Sequence, residues 1–310
     1  MMETEMRGTR TEGPPVSVVV LSHDRPAYLP KALDSLAAQT YPNLEIIVVD
    51  NRSRSSEEIA LAVEKYEGVR LIRNAENLGF TGGMNRGIEA AKGSYVYCTN
   101  DDVVVDRECV ARLVEYAEAH PEAGLLTGVQ YREDRRTILC AGGEFYLEPV
   151  YVRKFHGHEE TDTGQFNEPF NVTCVDGAMT FGPRALLQEL KGFREDFFIY
   201  VDSIELSARV LKRGREIVCV PSARAYVFDA PHVFTSEGIA FHKVKNLFAF
   251  YLLHARARVL PEFFLRYGVL QMLRALGENR KIFLQMLRAW AWLLANSPAL
   301  LRERRLWTKP

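Results

Sequence analysis

The sequence predicts an α/β fold in which helices cover both faces of a mostly parallel β-sheet. Short, unbroken apolar segments alternate with amphipathic segments throughout the first half of the chain. Unbroken apolar runs are typical of parallel strands buried on both faces, and amphipathic segments between them are typical of crossover helices. The 310 residues, 47% hydrophobic and 25% charged, are enough for one large domain with an appendage.

The elements alternate regularly as far as residue 131. Their apolar, β-branched character predicts strands at residues 16–22, 44–50, 69–73, 95–99 and 124–129. Helical periodicity predicts helices at residues 26–39, 57–66, 82–91 and 106–120. The third of these helices opens on Gly82 and Gly83, which we expect to allow positive φ and a close approach of the backbone.

The second half of the chain is less regular. Residues 132–170 are rich in charge, Gly, His and Tyr, so hairpins and long loops are expected there. An ordered apolar segment follows at 175–181, then helices at 183–190 and 202–213 and a strand at 217–220. Gly214 directly after the last of these helices suits the position that ends a helix.

Composition favours a cytoplasmic protein without a nucleic-acid partner. A net charge of −1 and a pI of about 6.7 give no overall field that would attract a polyanion. The five cysteines are scattered and form no CxxC pair, which indicates reduced thiols and no zinc site, with Cys98 and Cys219 in the core. Residues 1–15 are expected to be a disordered tail, and no apolar stretch is long enough for a transmembrane helix.

The C-terminal region, residues 241–310, is predicted to be helical, amphipathic and basic. Residues 254–310 contain eleven Lys and Arg against three Glu, and Leu, Phe and Trp recur among them at helical spacing. These helices are expected to pack on the domain, to pack on a second protomer in a homodimer, or to dock on an anionic membrane surface. In the membrane case, Trp would lie at the interface and Arg among the headgroups, on the inner face of the membrane.

Adjacent carboxylates follow the strand at 95–99, in the sequence Asn100-Asp101-Asp102. In α/β sheets, ligands bind at the carboxyl ends of the strands. Two neighbouring carboxylates repel each other there, and a divalent cation carrying a diphosphate would relieve this repulsion. A solvated turn or a helix cap would use the same residues.

Three further segments place polar groups at the same predicted edge. Ser22 and Arg25 follow the first strand, Asp50 and Asn51 follow the second, and a Gly-rich stretch follows the third. Helix N-termini at these positions favour anions, and Asp50 can accept hydrogen bonds from a base or a ribose. The first turn contains no GxGxxG, as a Rossmann domain requires, and no P-loop occurs anywhere.

The motifs, taken in order, resemble those of family 2 glycosyltransferases, especially the rhamnosyltransferase-like branch. The resemblance covers residues 16–226 and rests on eight segments: 16–26, 33–36, 39–43, 45–51, 77–87, 100–102, 175–179 and 192–200. Motifs that recur in the family's order are far more specific than any one of them alone.

The resemblance implies a GT-A type fold at residues 16–240, an NDP-sugar donor (dTDP-, UDP- or GDP-linked) and Mn²⁺ or Mg²⁺ at Asn100-Asp101-Asp102. It implies inverting transfer to a hydroxyl of a glycan, lipid-linked or small-molecule acceptor. In this family pattern Asp102 would be the metal ligand, and Asp50 would lie near the nucleobase of the donor. The expected donor-binding residues are Ser22, Arg25, Asp50, Asn51, Asn77, Gly82, Gly83, Asn85, Asn100 and Asp101.

The chain departs from the family pattern at the catalytic base. The usual second acid aligns with Ser203, which leaves Asp202 and Asp176 as candidate bases. Asp202 also suits a helix cap, and Asp176 also suits a turn beside Gly177. Glu205 is expected to complete a capping box or to bind the acceptor.

A second departure concerns the metal. A histidine that often ligates it after an Ala-Arg-x-Tyr run is displaced here to His232, with Asp229 as an alternative. Because of these departures, we also consider a catalytically impaired protein that binds nucleotide sugar or glycan. Nucleotidyl transfer ranks last, since no Gly-rich basic loop follows the first strand.

Overall fold

The computed structural model describes residues 13–148, 151–228 and 236–307. A single mixed sheet contains most of the strands, in the order β10-β12-β6-β11-β4-β1-β2-β3, with β5 paired to β12 and β7 to β6. Strands β1 to β4 are parallel neighbours, as are β6 and β12, whereas β11 runs antiparallel to both β4 and β6. The predicted mostly parallel sheet with helical cover and a helical C-terminal extension is confirmed.

The strands are β1 Val16–Ser22, β2 Leu44–Asp50, β3 Arg70–Arg73, β4 Tyr95–Asn100, β5 Val103–Val105, β6 Ala123–Arg132, β7 Ile138–Cys140, β8 Gly143–Tyr146, β9 Tyr151–Phe155, β10 Phe170–Asn171, β11 Thr180–Pro183 and β12 Glu216–Val227. The helices are α1 Leu29–Ala37, α2 Ser56–Val63, α3 Gly79–Ala90, α4 Cys109–Ala119, α5 Arg184–Glu189, α6 Asp202–Lys212, α7 Ser236–His254, α8 Leu260–Phe263, α9 Gln271–Glu278 and α10 Arg280–Trp307. A π-helical stretch, Phe264–Leu270, joins α8 to α9.

Strand register brings the predicted polar residues to one edge. Ser22 is paired with Asp50 between β1 and β2, and Leu21 is paired with Asn100 between β1 and β4. The residues that follow these strands therefore leave the sheet side by side. The strands extend to this level because their apolar side chains are buried between two helical layers.

Helix α3 packs unusually close to β1 because glycines face the strand. A Cβ built on Gly83 would lie 2.5 Å from Leu21 Cδ1, and one on Gly87 would overlap the buried Val19. Close packing positions the N-terminus of α3 directly beside the carboxyl ends of the strands. The helix begins three residues earlier than the sequence predicted, at Gly79.

The C-terminal helices share a core with the α/β domain. Phe248 and Tyr251 of α7 are buried together with Phe197 and Ile204, which lie before and within α6. Trp290 packs on Phe248, with ring centroids 4.9 Å apart, so this tryptophan takes part in the shared core. The predicted division between residues 240 and 241 stays a prediction, although α7 begins before it.

The N-terminal prediction needs a correction at its end. Pro14 and Pro15 belong to the predicted disordered tail, but their carbonyls accept hydrogen bonds from Tyr41 Oη (2.6 Å) and from the Ser94 amide (2.7 Å). The rest of that tail, residues 1–12, lies outside the described residues. Across the described ranges, no helix has both the length and the apolarity to span a bilayer.

Candidate active site

Two carboxylates at the end of β4 form the centre of the site. Asp101 is 3% exposed and accepts a hydrogen bond from the Ser22 hydroxyl (2.7 Å). Arg25 lies on Asp102, to which its guanidinium donates, and it is 3.7 Å from Asp101. The other oxygen of Asp102, Oδ1, is buried, and no residue within the described ranges donates a hydrogen bond to it.

Burial disfavours negative charge at both carboxyls. It raises the pKa of Asp101 to about 7, although Arg25 and the Ser22 hydrogen bond act in the opposite direction. Burial also raises the pKa of Asp102; Arg25 opposes this rise, and the negative charge of Asp176 adds to it. A cation that approaches this pair would stabilise the charged carboxylates, so its binding is favoured.

Asp50 and Asn51, after β2, are held within the protein. Both oxygens of Asp50 accept hydrogen bonds, one from the Ser53 amide (2.9 Å) and one from the Ser56 hydroxyl. Asn51 donates to Asn77 Oδ1 (3.0 Å) and to the Gly79 carbonyl (2.9 Å). Asn51 and Asn77 thus fix the loop that leads into α3, beside the two carboxylates.

The structure corrects the predicted roles of the glycines. Gly82 and Gly83 lie inside α3 without positive φ, so the expectation that they adopt it is wrong. The left-handed residue is Gly79 (φ +70°), where a side chain would collide with the Phe198 carbonyl. Gly83 still allows a close approach, but to Leu21 within the protein.

Two other predicted donor-binding residues have internal partners. Asn85 is bonded to the Phe193 carbonyl and amide (both 2.8 Å) and lines a cavity of 1210 Å³ away from the carboxylates. The structure therefore does not bring Asn85 to the site. Ser22 is fully buried and positions Asp101, whereas Asn100 at the end of β4 is half-buried.

The two candidate bases converge on the carboxylate pair from another direction. Asp176 lies in a tight turn, where it accepts a hydrogen bond from the Ala178 amide (3.0 Å), and its charge reaches Asp102. Asp202 begins α6, and a Cβ built on Gly177 would lie 3.6 Å from Asp202 Oδ1. The structure thus brings Asp102, Asp176 and Asp202 to one region. Asp202 Oδ1 also accepts a hydrogen bond from the Ser203 amide (2.6 Å).

The loop directly before Asp202 is strained. Phe198, Tyr200 and Val201 all have positive φ, at 65°, 69° and 62°. Bulky and β-branched residues rarely adopt this conformation, and each such residue costs about 1–3 kcal/mol. We refer to residues 197–201 as the left-handed loop.

Helix α7 fastens the left-handed loop through Asn246, a residue that the sequence analysis did not identify. The Asn246 amide donates to the carbonyls of Phe197 (2.9 Å), Ile199 (2.8 Å) and Tyr200 (2.7 Å). On the same helix, the ring of His242 stacks on Phe198 with centroids 4.9 Å apart. A buried Asn within an apolar helical stretch was the available signal in the sequence.

Glu205 has neither of its predicted roles. It is fully buried and pairs with Arg209 (2.7 Å) and His254 (3.2 Å). Burial alone would raise its pKa, but these two partners outweigh burial and lower the pKa to about 2. Glu205 is therefore a structural charge that joins α6 to α7.

Asp102 fits a metal that a diphosphate would complete. Within the described ranges, no three His, Cys, Asp or Glu side chains are grouped to hold an ion. Mg²⁺ and similar ions commonly use one or two carboxylates and take their other ligands from phosphate and water. The buried Oδ1 of Asp102, which has no partner among the described residues, suits that arrangement. His232, the other predicted ligand, lies outside the described residues.

Comparisons with known proteins identify the family of the chain. The sequence profile of Glycosyl transferase family 2 matches residues 17–191. The O-antigen biosynthesis protein RfbC of Myxococcus xanthus is 30% identical over 71% of this chain, which spans only 17% of that protein. The N-acetylglucosaminyl-diphospho-decaprenol L-rhamnosyltransferase of Mycobacterium tuberculosis is 26% identical over 66% of this chain and 73% of its own length.

The fold has counterparts among solved structures. GalNAc-T7, crystallised with UDP, GalNAc and Mn²⁺, superposes with a TM-score of 0.65 at 17% identity over 93% of this chain and 58% of that one. This similarity confirms the GT-A fold that the motifs implied. With the family profile covering more than half of its length, the chain belongs to glycosyl transferase family 2.

Proposed function

We propose that the protein is an inverting glycosyltransferase that moves a sugar from an NDP-sugar to an acceptor hydroxyl. The observation that carries the proposal is the convergence of Asp102, Asp176 and Asp202 at the carboxyl edge of the sheet. A cation site and a base must lie on either side of the sugar in such a reaction. The chain supplies carboxylates for both.

The donor is an NDP-sugar, dTDP-, UDP- or GDP-linked, bound with Mn²⁺ or Mg²⁺. The GT-A neighbour that contains UDP and Mn²⁺ supports this proposal, as does the buried Oδ1 of Asp102, to which no described residue donates a hydrogen bond. The metal would stabilise the departing diphosphate as a Lewis acid. The nucleobase of the donor would lie in the space beside β2, which is bordered by Asp50, Asn51 and Asn77.

Asp202 is the proposed base, with Asp176 as the alternative carboxylate. A base must accept the proton of the acceptor hydroxyl while that oxygen attacks the anomeric carbon. Asp202 Oδ1 accepts a hydrogen bond from the Ser203 amide (2.6 Å), which helps to fix the orientation of the carboxylate. The left-handed loop aims the start of α6 toward Gly177 and so sets where this carboxylate lies.

The acceptor is proposed to be a glycan or a lipid-linked saccharide. A relative named as an L-rhamnosyltransferase acting on N-acetylglucosaminyl-diphospho-decaprenol supports a lipid-linked acceptor. We place the reaction on the cytoplasmic side of the membrane. The buried thiols of Cys98, Cys109 and Cys219 are compatible with a reducing compartment.

A panel of NDP-sugars tests the proposal. Thermal shift with and without Mn²⁺ would identify the nucleobase and the sugar of the preferred donor and show whether its binding depends on the metal. Calorimetry would give the affinities. We expect Mn²⁺-dependent binding of at least one donor, weakened tenfold or more by Asp102→Asn. If no nucleoside diphosphate binds under any metal condition, the proposal is wrong.

A second candidate is a binding protein that retains the fold without turnover. The replacement of the family's usual second acid by Ser203 favours it, because the side chain directly after Asp202 cannot act as a base. The two functions differ in one measurement, the release of nucleoside diphosphate with acceptor present. Transfer predicts that Asp202→Asn binds donor normally and loses 100-fold or more in rate. A binding protein shows no turnover, so this substitution changes nothing.

A further inference from the structure

The C-terminal helices expose a large apolar face. Of the eleven large hydrophobic side chains that are exposed within the described ranges, nine lie between residues 265 and 301. We call these nine the leucine face: Leu265, Val269, Leu270, Leu273, Leu276, Leu284, Leu287, Leu294 and Leu301. Exposed apolar patches of this extent mark interaction sites in soluble proteins.

On α10 the exposed leucines form one stripe. Leu284, Leu287, Leu294 and Leu301 are 42–67% exposed and recur at spacings of three and seven, which places them on one side of the helix. Met286, Ala289, Leu293 and Leu300, on the opposite side, are at most 4% exposed. The helix is therefore already anchored to the protein by one apolar side and presents a second one outward, over about 26 Å.

Basic side chains accompany the leucine face. Between residues 265 and 302 the chain contains a single acid, Glu278, and six basic residues: Arg266, Arg274, Arg280, Lys281, Arg288 and Arg302. All six are exposed. Apolar side chains interspersed with Arg and Lys on exposed helices suit the boundary between headgroups and acyl chains of an anionic membrane.

We propose that the leucine face docks on the surface of an anionic lipid bilayer. Charge decides between this occupant and a second copy of the chain. A twofold dimer would place the same face against itself and oppose six basic residues to six others, with Glu278 and Glu262, the partner of Arg266 (3.0 Å), as the nearby acids of each copy. Anionic lipid headgroups complement those charges, and the leucines enter the acyl boundary.

Flotation with defined vesicles tests the proposal on the full chain. Vesicles of phosphatidylcholine with 30 mol% phosphatidylglycerol are compared with vesicles of phosphatidylcholine alone. We expect at least tenfold tighter binding to the anionic vesicles, weakening as salt increases. Neutralising Arg274, Arg280 and Lys281 together with Gln should cost roughly fivefold for each charge, about 100-fold in all.

Leucine variants provide the matched comparison. Leu287→Gln with Leu294→Gln should reduce vesicle binding at least tenfold, whereas Leu61→Gln, at an equally exposed leucine on α2, should leave it unchanged. Circular dichroism checks that each variant folds. Vesicle binding that is absent or insensitive to the paired leucine change overturns the proposal. The proposal is also overturned if light scattering finds a dimer that the paired leucine change abolishes, and the wild-type protein does not bind vesicles. Donor binding, which tests the catalytic proposal, is measured separately without lipid.

Discussion

Replacing Asn246 tests whether the left-handed loop sets the position of Asp202. The side chain amide of Asn246 donates to three carbonyls of the loop, those of Phe197, Ile199 and Tyr200. In Asn246→Ala these carbonyls lose their donor, while the apolar surroundings of α7 accept the smaller side chain. We expect the loop to relax and Asp202 to move away from Gly177.

The magnitude follows from the hydrogen bonds and the strain. Three residues with positive φ store roughly 3–9 kcal/mol in the loop. A buried carbonyl left without a partner costs about 1–3 kcal/mol, and partial access of water to this loop reduces the total to about 2–3 kcal/mol. If this free energy no longer serves to hold Asp202 in its position, the activation free energy of transfer rises by the same amount. The rate of transfer then falls about 30- to 150-fold.

The assay measures release of nucleoside diphosphate under saturating donor and acceptor. We expect kcat to fall while KM for the donor changes less than threefold, because Asn246 bonds to the loop before Asp202, whereas the donor-side residues lie at the ends of β1 and β2. Asn246→Asp should be at least as damaging as Asn246→Ala despite its identical shape, since a carboxylate would face three carbonyl oxygens. Hydrogen exchange at residues 197–201 should increase in both variants.

Asn296→Ala is the matched control. Asn296 also donates its side chain amide to a backbone carbonyl, that of Trp292 (2.7 Å), but this bond stays within α10 and does not reach the loop. This variant should keep kcat within threefold of the wild-type value. The reasoning is refuted if Asn246→Ala is folded, shows faster exchange in the loop and retains full kcat.

Two further predictions concern packing and pH. Gly87→Ala should destabilise the protein by about 1–2 kcal/mol in urea unfolding, because overlap with buried Val19 outweighs the gain in helix propensity. In Gly277→Ala the new Cβ would meet nothing within 4 Å, so this change should instead stabilise the protein by up to about 1 kcal/mol. Equal effects of the two changes on unfolding would contradict the packing argument. The pKa of Glu205, about 2, lies below its ordinary value of 4.5, so its stabilisation is present above pH 4.5 and is lost as pH falls toward 2. The difference in unfolding free energy between wild type and Glu205→Gln should shrink by about 2 kcal/mol from pH 6 to pH 3, and a constant difference would show that the ion pairs do not shift this pKa.

The edge of the sheet was predictable because it depends on strand periodicity alone. Apolar strands of defined length end at Ser22, Asp50 and Asn100, and parallel pairing then brings those ends together. Nothing beyond local patterns was needed for this step. The order of the motifs along the chain supplied the family.

The Gly-rich stretch before α3 was harder to interpret because each glycine serves a different purpose. Gly79 takes the left-handed conformation, whereas Gly83 and Gly87 allow the helix to approach β1. A sequence shows that glycines are present but not which one faces a strand. The same ambiguity assigned Asn85 to the donor, although it bonds to Phe193 inside the protein.

The left-handed loop could not be predicted from its residues. Positive φ is normally inferred from Gly or Asn, and residues 197–201 contain neither. Groups distant in sequence hold the loop from outside, among them Asn246, more than forty residues later, and the Thr81 amide, which donates to the Phe198 carbonyl (3.2 Å). A local pattern cannot reveal a conformation that a distant hydrogen bond imposes.

Helix α7 makes the C-terminal region part of the catalytic unit. Its Asn246 holds the loop before the proposed base, and its Phe248 and Tyr251 pack on the helices that carry the leucine face. The buried pair of Glu205 and His254 joins α6 to the end of the same helix. If the C-terminal helices were only appended to the domain, their removal would leave the carboxyl edge of the sheet unchanged. Because α7 supports Asp202 on one side and the leucine face on the other, removing the C-terminal helices would release the left-handed loop along with the proposed membrane contact.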